Sequence, residues 1–505
     1  MNQEIWLVLF PLIAALVIPL LSTFLPGAGF ARFLALAASA AGLVFGITLY
    51  PGILEGARSV VMGNWLPPLG INFFVSPFSL GMVLLLYAGA VLILLSDLGN
   101  REQKKPQYYL LYSLLAGASA GLVLSGDLFN IFVFLEIAGI SGFSLIAAGK
   151  GHYSSGGALK YLIQAQVTSL AMLAGVALIY SASGNLNIAA LGRAGVYNPA
   201  FAFLAAVLLL LPFLLEGKIF PFNSWVGDAY QGADPVTGAT VSGIAAAAGT
   251  AVIFRLVLTL MGGQGPFGPA AGSVRTLLIL LGALTAVLGE AAAFREANLK
   301  RVLGFSSAGQ TGMILVGIGI GGGRALEGAL FLLFNHSAAK ILLFIVGGFF
   351  IRAAGKSGWA DLKGLGRRHP LAGGLFILGA MALLGLPLFA GFWGKLSLLE
   401  EAFRTGGMAA AGGAGILLGT ILEGVYFMKI GHTLFEKTEP AEVPAGGTDL
   451  RFGPAAAVPA LVLALALVAA GILPSLLQSW TEGSVRELLA PAAEYGRIIL
   501  KGGSL

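Results

Sequence analysis

Lys340 is the ionisable side chain set deepest in an apolar part of the sequence. Ten or more mostly apolar residues flank it on either side, and His336 precedes it by four residues, on the same helix face. Glu136 is also central, with about eight apolar-rich residues before it and about twelve after it. A charge at the middle of a membrane costs roughly 2.5–3.5 kcal/mol, so we expect these residues to be functional. His336 and Lys340 could pass a proton between them, but they would make a poor metal site because no third ligand is evident.

Lys218 and Lys395 each end a similar interrupted segment. Lys218 ends LPFLLEGK and Lys395 ends LPLFAGFWGK, so a Leu-Pro pair is followed within ten residues by Gly-Lys. Proline removes a helix hydrogen bond, and a broken membrane helix is tolerated only where it faces protein or a water-filled cavity. Two such helices at corresponding places indicate a transport site. A packing kink with a lysine that extends to the membrane surface stays open as the alternative.

Five further charges are weaker candidates: Asp127, Glu216, Arg255, Glu290 and Glu423. Asp127 and Glu290 are near the ends of apolar runs, where contact with solvent would explain them. Glu423 is deeper, but the sequence gives it no partner. We retain Asp127, Glu216 and Glu423 as secondary candidates.

The composition is that of a membrane protein. The chain has 505 residues, of which 57% are hydrophobic and 10% charged, against about 25% charged in a soluble domain. Apolar runs of about 18 or more residues recur from end to end, each long enough to cross a bilayer. The absence of cysteine excludes iron–sulfur clusters, thiolate-bound haem and cysteine-based zinc sites on this chain. We therefore expect an all-α polytopic membrane protein with no cofactor or metal of its own.

Apolar runs between polar or Gly/Pro breaks predict about fourteen spans. They lie near 4–22, 30–50, 76–96, 108–125, 128–148, 158–181, 200–222, 237–261, 274–293, 301–320, 326–351, 371–394, 409–430 and 454–474. The start of the chain has no basic segment before its apolar run and carries Glu4, so we interpret it as a first span and not a signal peptide. The tail from residue 479 is predicted to form a short amphipathic surface helix.

Basic connections alternate with neutral, glycine-rich ones. The basic connections lie at 101–105, 149–152, 295–301, 352–369 and 432–451. The positive-inside rule places this side in the cytoplasm. With an even number of spans both termini then face outward, and we expect the inner or plasma membrane of a prokaryotic cell. The net charge of +6 follows from this bias and indicates no nucleic-acid partner.

Five segments together resemble one known family. They are SGDLFNIFVFLEI (125–137), FPFNSWVGDAYQGADPVTG (220–238), NLKRVLGFSSAGQTGMIL (298–315), FNHSAAKILLFIVGG (334–348) and GLPLFAGFWGKLSLL (385–399). Over roughly residues 70–430 the chain is similar to the antiporter-like proton channel subunits shared by complex I (NADH:quinone oxidoreductase), Mrp-type Na⁺/H⁺ antiporters and group 4 membrane-bound hydrogenases. The first segment most resembles the Mrp D-type and hydrogenase-type subunits.

The resemblance implies fourteen helices with two inverted five-helix repeats, each containing a broken helix. We accordingly predict an N-terminal three-helix flank at 1–107, repeats at 108–261 and 262–430, and a C-terminal span with its tail at 431–505. The family uses a buried Glu paired with a Lys in the first repeat, a central Lys/His, and a terminal Lys or Glu. By motif these roles fall on Glu136, Lys218, His336 with Lys340, and Lys395.

The chain departs from the family pattern in the helix after the first break. That helix, VSGIAAAAGTAVIFRL, has no ionisable group before Arg255, where many members carry a Lys or His. Proton relay from Lys218 toward Lys340 would then depend on water or on hydroxyl groups. The available hydroxyls are Ser242, Thr250 and Thr285. Since about thirty residues follow the last predicted span, we also expect no long lateral helix like that of the distal complex I subunit.

Our hypothesis is a hydrated row of proton-loading amines formed by Lys218, Lys340 and Lys395. Two unit charges 4 Å apart interact by roughly 4 kcal/mol at an effective dielectric constant of 20. Movement of Glu136 toward or away from Lys218 would therefore switch the lysine between holding and releasing its proton. His336 would pass the released proton to Lys340.

The predicted function is proton or coupled H⁺/Na⁺ translocation within a multisubunit complex, with other membrane subunits and the lipid bilayer as partners. Because the chain shows no nucleotide, redox or catalytic site, a neighbouring subunit would supply the driving force. The host stays open between an antiporter, a hydrogenase and a quinone reductase. Two other functions also stay open: a stand-alone secondary transporter of a small organic anion, which needs a roomy midplane pocket, and a non-conducting structural membrane subunit.

Overall fold

The computed structural model describes residues 3–25, 27–63, 65–67, 70–100, 104–192, 197–261, 267–437 and 451–490. Its α-helices are α1 (Trp6–Ser22), α2 (Ala28–Glu55), α3 (Pro77–Asp97), α4 (Pro106–Leu124), α5 (Leu128–Ala147), α6 (His152–Ser183), α7 (Ile188–Leu191), α8 (Pro199–Glu216), α9 (Val226–Gly232), α10 (Pro235–Thr240), α11 (Ala246–Leu260), α12 (Ala271–Arg295), α13 (Leu299–Ile320), α14 (Gly323–Ala354), α15 (Leu365–Arg368), α16 (Pro370–Leu384), α17 (Ala390–Thr405), α18 (Gly407–Phe435), α19 (Pro454–Ile472) and α20 (Ser475–Leu489). Strands β1 (Arg58–Val61) and β2 (Asn72–Val75) form an antiparallel hairpin, with Arg58 opposite Val75. Parts of two predicted basic connections (101–103 and 438–450) and the predicted tail from 491 lie outside the described residues.

Helices long enough to cross a membrane make up more than half of the chain. Within the described residues, thirteen helical segments are long and apolar enough to cross a membrane. The predicted span 371–394 is instead divided into α16 and α17, with the break at residues 385–389. Helices dominate because a backbone in lipid must satisfy its hydrogen bonds within its own segment. The all-α polytopic fold with about fourteen spans and broken helices is confirmed.

Two series of helices follow the same order along the chain. α5 begins at the side-chain cap of Asp127 and α13 at that of Asn298, α6 and α14 each have 32 residues, and each series then reaches a broken helix. Lys104, just before α4, and Lys300, just after α12, line the same cavity. α4 therefore begins at the side where α12 ends, as inverted repeats require. The residue boundaries of the repeats stay a prediction.

The centre of the bundle is the segment Pro235–Leu260 together with α13 and α14. The most apolar stretch of Pro235–Leu260 is completely buried, whereas α1, α2 and α6 present most of their surface outward. Between α10 and α11 the helix widens to a π-helical turn at Val241–Ala245. Such turns are rare and occur often at functional sites.

The helix α20 begins at Ser475, four residues before the predicted amphipathic tail, and has one face buried. The Trp480 indole nitrogen donates to the Pro77 carbonyl at 3.1 Å, and a Glu487 oxygen accepts from the Phe78 amide at 3.1 Å. α20 therefore satisfies backbone groups at the start of α3 instead of lying only on the surface.

Candidate functional site: a buried row of charged and polar groups

The first helix break, between α8 and α9, places Lys218 in the protein interior. α8 ends at Glu216, and Lys218 follows with a φ of 61°. Positive φ values are uncommon for residues other than glycine and mark a backbone held by its surroundings. The Lys218 side chain is fully buried, and its Nζ donates to the Glu216 carbonyl oxygen at 3.4 Å. The Thr311 hydroxyl of α13 donates to the Gly217 carbonyl, which ties the break to the central helices.

The carboxylate that interacts electrostatically with Lys218 belongs to Glu216, two residues earlier. Glu216 is buried, interacts electrostatically with Lys218, and accepts a hydrogen bond from the Tyr161 hydroxyl of α6. The Tyr161 ring stacks on Trp225 with 4.2 Å between ring centroids, which fixes the hydroxyl in place. The sequence pattern gave this role to Glu136, and Glu216 was only a secondary candidate.

Glu136 is only partly buried, on α5. Its carboxylate accepts from the Gln166 side-chain amide at 3.3 Å, and among the described residues no ion pair joins it to Lys218. Glu136, Gln166 and Glu216 line one narrow cavity of about 10 Å³, room for about one water molecule. The structure thus brings Glu136 to Glu216, whereas Lys218 is not among the residues that line this cavity.

Hydroxyl groups connect the first break to the centre of the bundle. The Lys218 Nζ lies 5.9 Å from the ring centroid of Tyr230. The Tyr230 hydroxyl is 2.8 Å from the Ser242 hydroxyl, which is 3.0 Å from that of Ser307. Ser242 stands in the π-helical turn, and Ser307 donates to the Leu303 carbonyl at 3.0 Å.

Of the three hydroxyls considered for relay, only that of Ser242 belongs to this series of hydrogen-bonded hydroxyl groups. Thr250 donates to the Ala246 carbonyl of its own helix at 2.7 Å. Thr285 donates to the Leu281 carbonyl at 2.5 Å and accepts from a backbone amide of the first break.

Lys340 and His336 occupy the middle of α14, as their depth predicted. Both side chains are fully buried. Lys340 donates to the Ser306 hydroxyl at 2.7 Å and to the Leu303 carbonyl at 3.2 Å. In the part of the chain that the structure describes, neither ring nitrogen of His336 makes a hydrogen bond of good geometry; the ring interacts with the Ser242 backbone and, electrostatically, with Lys340 and Lys218. Such weak hydrogen bonding is unusual for a buried imidazole, since nearly all buried polar groups are hydrogen-bonded.

Glu290 lies in the interior, which contradicts the expectation that solvent explains it. Its side chain is fully buried, and the Tyr426 hydroxyl of α18 donates to one carboxylate oxygen at 2.7 Å. The other oxygen has no partner among the described residues. Glu290 interacts electrostatically with Lys340 and with Glu423, so it connects the centre to the second break. The sequence pattern was misleading because Glu290 is close to the end of α12, but α13 and α18 cover that end.

The second helix break holds Lys395 against Glu423, whose partner the sequence could not supply. The Lys395 Nζ is 3.3 Å from Glu423 and 3.0 Å from the Thr420 hydroxyl. Gln310 of α13 donates to both oxygens of Glu423 at 2.8 Å. Gly385, with a φ of 72°, opens the break, and a Cβ on it would be only 2.9 Å from the Lys395 side chain. Glycine at this position therefore allows the lysine to reach the interior.

The remaining two candidates have structural contacts. Asp127 caps α5 by accepting from the backbone amides of Phe129 and Asn130, the usual role of Asp at that position. Arg255 is buried, donates to the Ser125 carbonyl at 2.8 Å and lies 6.0 Å from the Phe74 ring. These contacts hold helix ends together and lie outside the row.

The row therefore contains more groups than the sequence predicted. Sequence reasoning found Lys218, His336, Lys340 and Lys395, but it missed the neutral groups between them. Those are Tyr161, Tyr230, Gln310, Ser306, Ser307 and Tyr426. The only signal for them in the sequence is a polar residue inside an apolar run, which does not distinguish a relay from an ordinary buried hydroxyl.

Chemically, the row contains both acidic and basic side chains. No group of three or more His, Cys, Asp or Glu side chains that could hold a metal ion occurs within the described ranges. The ionisable groups, in order, are Glu216, Lys218, His336, Lys340, Glu290, Glu423 and Lys395. Such an order of acids and bases can move a proton over a long distance in short steps.

Known proteins share both the sequence and this architecture. The chain is 30% identical to the NADH-quinone oxidoreductase subunit N of Desulforudis audaxviator, over 93% of this chain and 96% of that protein. It is 31% identical to the D-type Na⁺/H⁺ antiporter subunit of Alkalihalophilus pseudofirmus, over 69% and 70%. The fold superposes with a TM-score of 0.90 on a chain of the membrane-bound sulfane sulfur reductase, an archaeal respiratory membrane complex, at 26% identity over 99% of this chain and 100% of that one. Residues 125–419 match the family described as NADH:quinone oxidoreductase/Mrp antiporter, TM. The resemblance is thus confirmed, and the chain belongs to this family of antiporter-like membrane subunits.

Proposed function

We propose that the chain translocates protons, alone or coupled to Na⁺, as an antiporter-like subunit of a multisubunit membrane complex. The observation that carries this proposal is the buried row from Glu216 to Lys395, which begins at one helix break and ends at the other. Buried ionisable residues are costly in a membrane and mark ion pathways by default. The similarity to subunits named for NADH–quinone oxidoreduction and for Na⁺/H⁺ antiport supports the same function.

The proton is first held at Lys218, where the Glu216 carboxylate stabilises the ammonium form. Any movement that separates Glu216 from Lys218 weakens this attraction, and the lysine releases its proton. Tyr161 controls the position of Glu216 through its hydrogen bond. Glu136 communicates with Glu216 through the water-sized cavity that both line, and so it acts one step before the Glu216–Lys218 pair.

The released proton passes to Lys340 at the centre and then to Lys395. The hydroxyls of Tyr230, Ser242 and Ser307 lie between the first break and the centre. Glu290 and Glu423 stand between Lys340 and Lys395 and compensate their charges. Proton transfer at one amine thereby alters the electrostatic balance at the next.

The energy for directed transport comes from a neighbouring subunit, by redox chemistry or by a second ion gradient. In this arrangement the basic side of the bundle faces the cytoplasm, both termini face outward, and the membrane is the inner or plasma membrane of a prokaryotic cell. Because the chain has no cysteine, this orientation is testable with single cysteines at Lys356 and Ser475. An impermeant thiol reagent added outside intact cells should label the second position and spare the first.

The central test is proton uptake by proteoliposomes that contain the assembled complex. Lys218→Ala and Lys340→Ala should each abolish coupled uptake while the complex still assembles. Lys356→Ala, which removes an exposed charge at the basic side, is the control and should transport normally. Normal uptake by either interior variant would refute the proposal.

The two alternative functions, a transporter of small organic anions and a structural subunit, make different predictions. A transporter of small organic anions needs a roomy pocket at the row, but the cavity at Glu136 and Glu216 has room for about one water molecule. A purely structural subunit predicts that the two interior lysine variants leave coupled activity intact, so the same assay decides between them.

A further inference from the structure

A second charged feature lies at the basic end of the bundle, away from the row. It is a cavity of about 540 Å³ between the start of α4 and the ends of α5 and α14, within the range of about 300–1,000 Å³ typical of ligand sites. The charged side chains that line it are Lys104, Lys105, Lys150, Lys300, Arg352 and Asp234. We call it the basic cavity.

The basic cavity has an excess of positive charge. The positive charge of Lys104 is compensated, because its Nζ lies 2.9 Å from Asp97 and 2.9 Å from Asp234. Lys300 donates to the Ala233 carbonyl at 2.8 Å, a partner that carries no charge. Lys150 and Arg352 have further partners and are left out of the count, and Asp97 is included; the remaining described cations, Lys104, Lys105 and Lys300, then outnumber the carboxylates by three to two. An anion bound there would restore the balance.

The lining is apolar as well as basic. Leu111, Ile351 and the Tyr108 ring contribute to the same walls. Pro106 begins α4 and Ala354 ends α14, so the cavity lies where membrane helices leave the hydrocarbon layer and lipid head groups are found. A ligand that is anionic at one end and apolar at the other matches both parts of the lining.

We propose that the basic cavity binds the phosphate group of an anionic phospholipid, with the glycerol and first methylenes against Leu111 and Ile351. Basic pockets between membrane helices on the cytoplasmic side are suited to such head groups. Asp234 in the cavity wall also caps α10 by accepting from the Val236 amide at 2.9 Å.

The test measures thermal unfolding of the purified full-length chain, or of its complex, in detergent with added lipid. Phosphatidylglycerol should raise the melting temperature and remain bound as one adduct in native mass spectrometry, whereas phosphatidylcholine should do neither. Each basic side chain at a charged membrane surface contributes about fivefold to binding, so Lys105→Gln/Lys300→Gln should weaken phosphatidylglycerol binding roughly 25-fold. The control Lys356→Gln/Lys363→Gln removes two charges from the same side, where they pair with Asp361 and Glu436, and should leave binding within about twofold.

Three results would overturn the inference. One is equal stabilisation by phosphatidylcholine, and another is unchanged phosphatidylglycerol binding in the Lys105→Gln/Lys300→Gln variant. The third is stabilisation by inorganic phosphate alone with none by lipid, which would indicate a site for a soluble anion. If the double variant does not fold, the single variant Lys300→Gln should weaken binding about fivefold and takes its place.

Discussion

Replacing Glu423 by glutamine keeps the shape of the side chain and removes its charge. Its partner Lys395 is 3.3 Å away, and the two side chains are 0% and 7% exposed. At this distance two unit charges attract each other by about 5 kcal/mol at an effective dielectric constant of 20. Breaking a buried pair by removing one partner costs about 3–5 kcal/mol of stability, because the other charge stays buried without compensation. We therefore expect Glu423→Gln to lower the melting temperature and to abolish proton uptake in proteoliposomes.

A double substitution separates stability from transport. Glu423→Gln/Lys395→Met removes both charges, so most of the lost stability should return while proton uptake stays absent. Glu401→Gln is the matched control, since Glu401 lies on the same helix as Lys395 and is 6% exposed, but pairs with the exposed Arg404. Normal uptake by the assembled Glu423→Gln complex would show that the second break does not carry protons as we describe.

Three further predictions address the first break and the surface. Glu216→Gln should reduce proton uptake more than Glu136→Gln, because Glu216 is the carboxylate that interacts with Lys218. A larger loss of uptake in Glu136→Gln would instead support Glu136 as the partner of Lys218. Tyr230→Phe should slow uptake while stability falls by only about 1 kcal/mol, the contribution of one hydrogen bond, and an unchanged rate would exclude this hydroxyl from the path. The hydrogen bond from Lys160 lowers the pKa of Asp228. Its stabilising effect is therefore present above the unfolded-state pKa of about 3.9 and lost as the pH falls through the lower folded-state value. Asp228→Asn should reduce the drop in melting temperature between about pH 5 and 3, and an identical drop would contradict this.

Depth within an apolar run was sufficient to predict which charged side chains of α14 are buried. Lys340 and His336 are buried as predicted because ten or more apolar residues on each side leave no route to water. The two Leu-Pro and Gly-Lys segments likewise marked both helix breaks, since proline and glycine act on the local backbone. These features depend on near neighbours in the sequence, which is why they were predictable.

The partners of these charges were not predictable. Depth along a helix does not specify rotation about its axis, so nothing in the sequence showed that Gln310 would reach Glu423 or that Glu290 would be covered. The same limit explains the assignment of the first carboxylate. Glu136 is deeper in its run than Glu216, but Glu216 is placed beside Lys218 by the backbone of the break itself.

The carbonyl oxygen of Leu303 accepts hydrogen bonds from two groups of the row, and this bears on the leakage of protons. Ser307, the last hydroxyl on the path from the first break, and Lys340, the central amine, both donate to this one oxygen. A carbonyl oxygen carries no hydrogen, so it accepts hydrogen bonds from both groups but cannot donate a proton to either. In the arrangement that the structure shows, no proton can therefore pass directly from Ser307 to Lys340 through this carbonyl. On the proposed path, the transfer would require one of the two donors to leave the Leu303 oxygen.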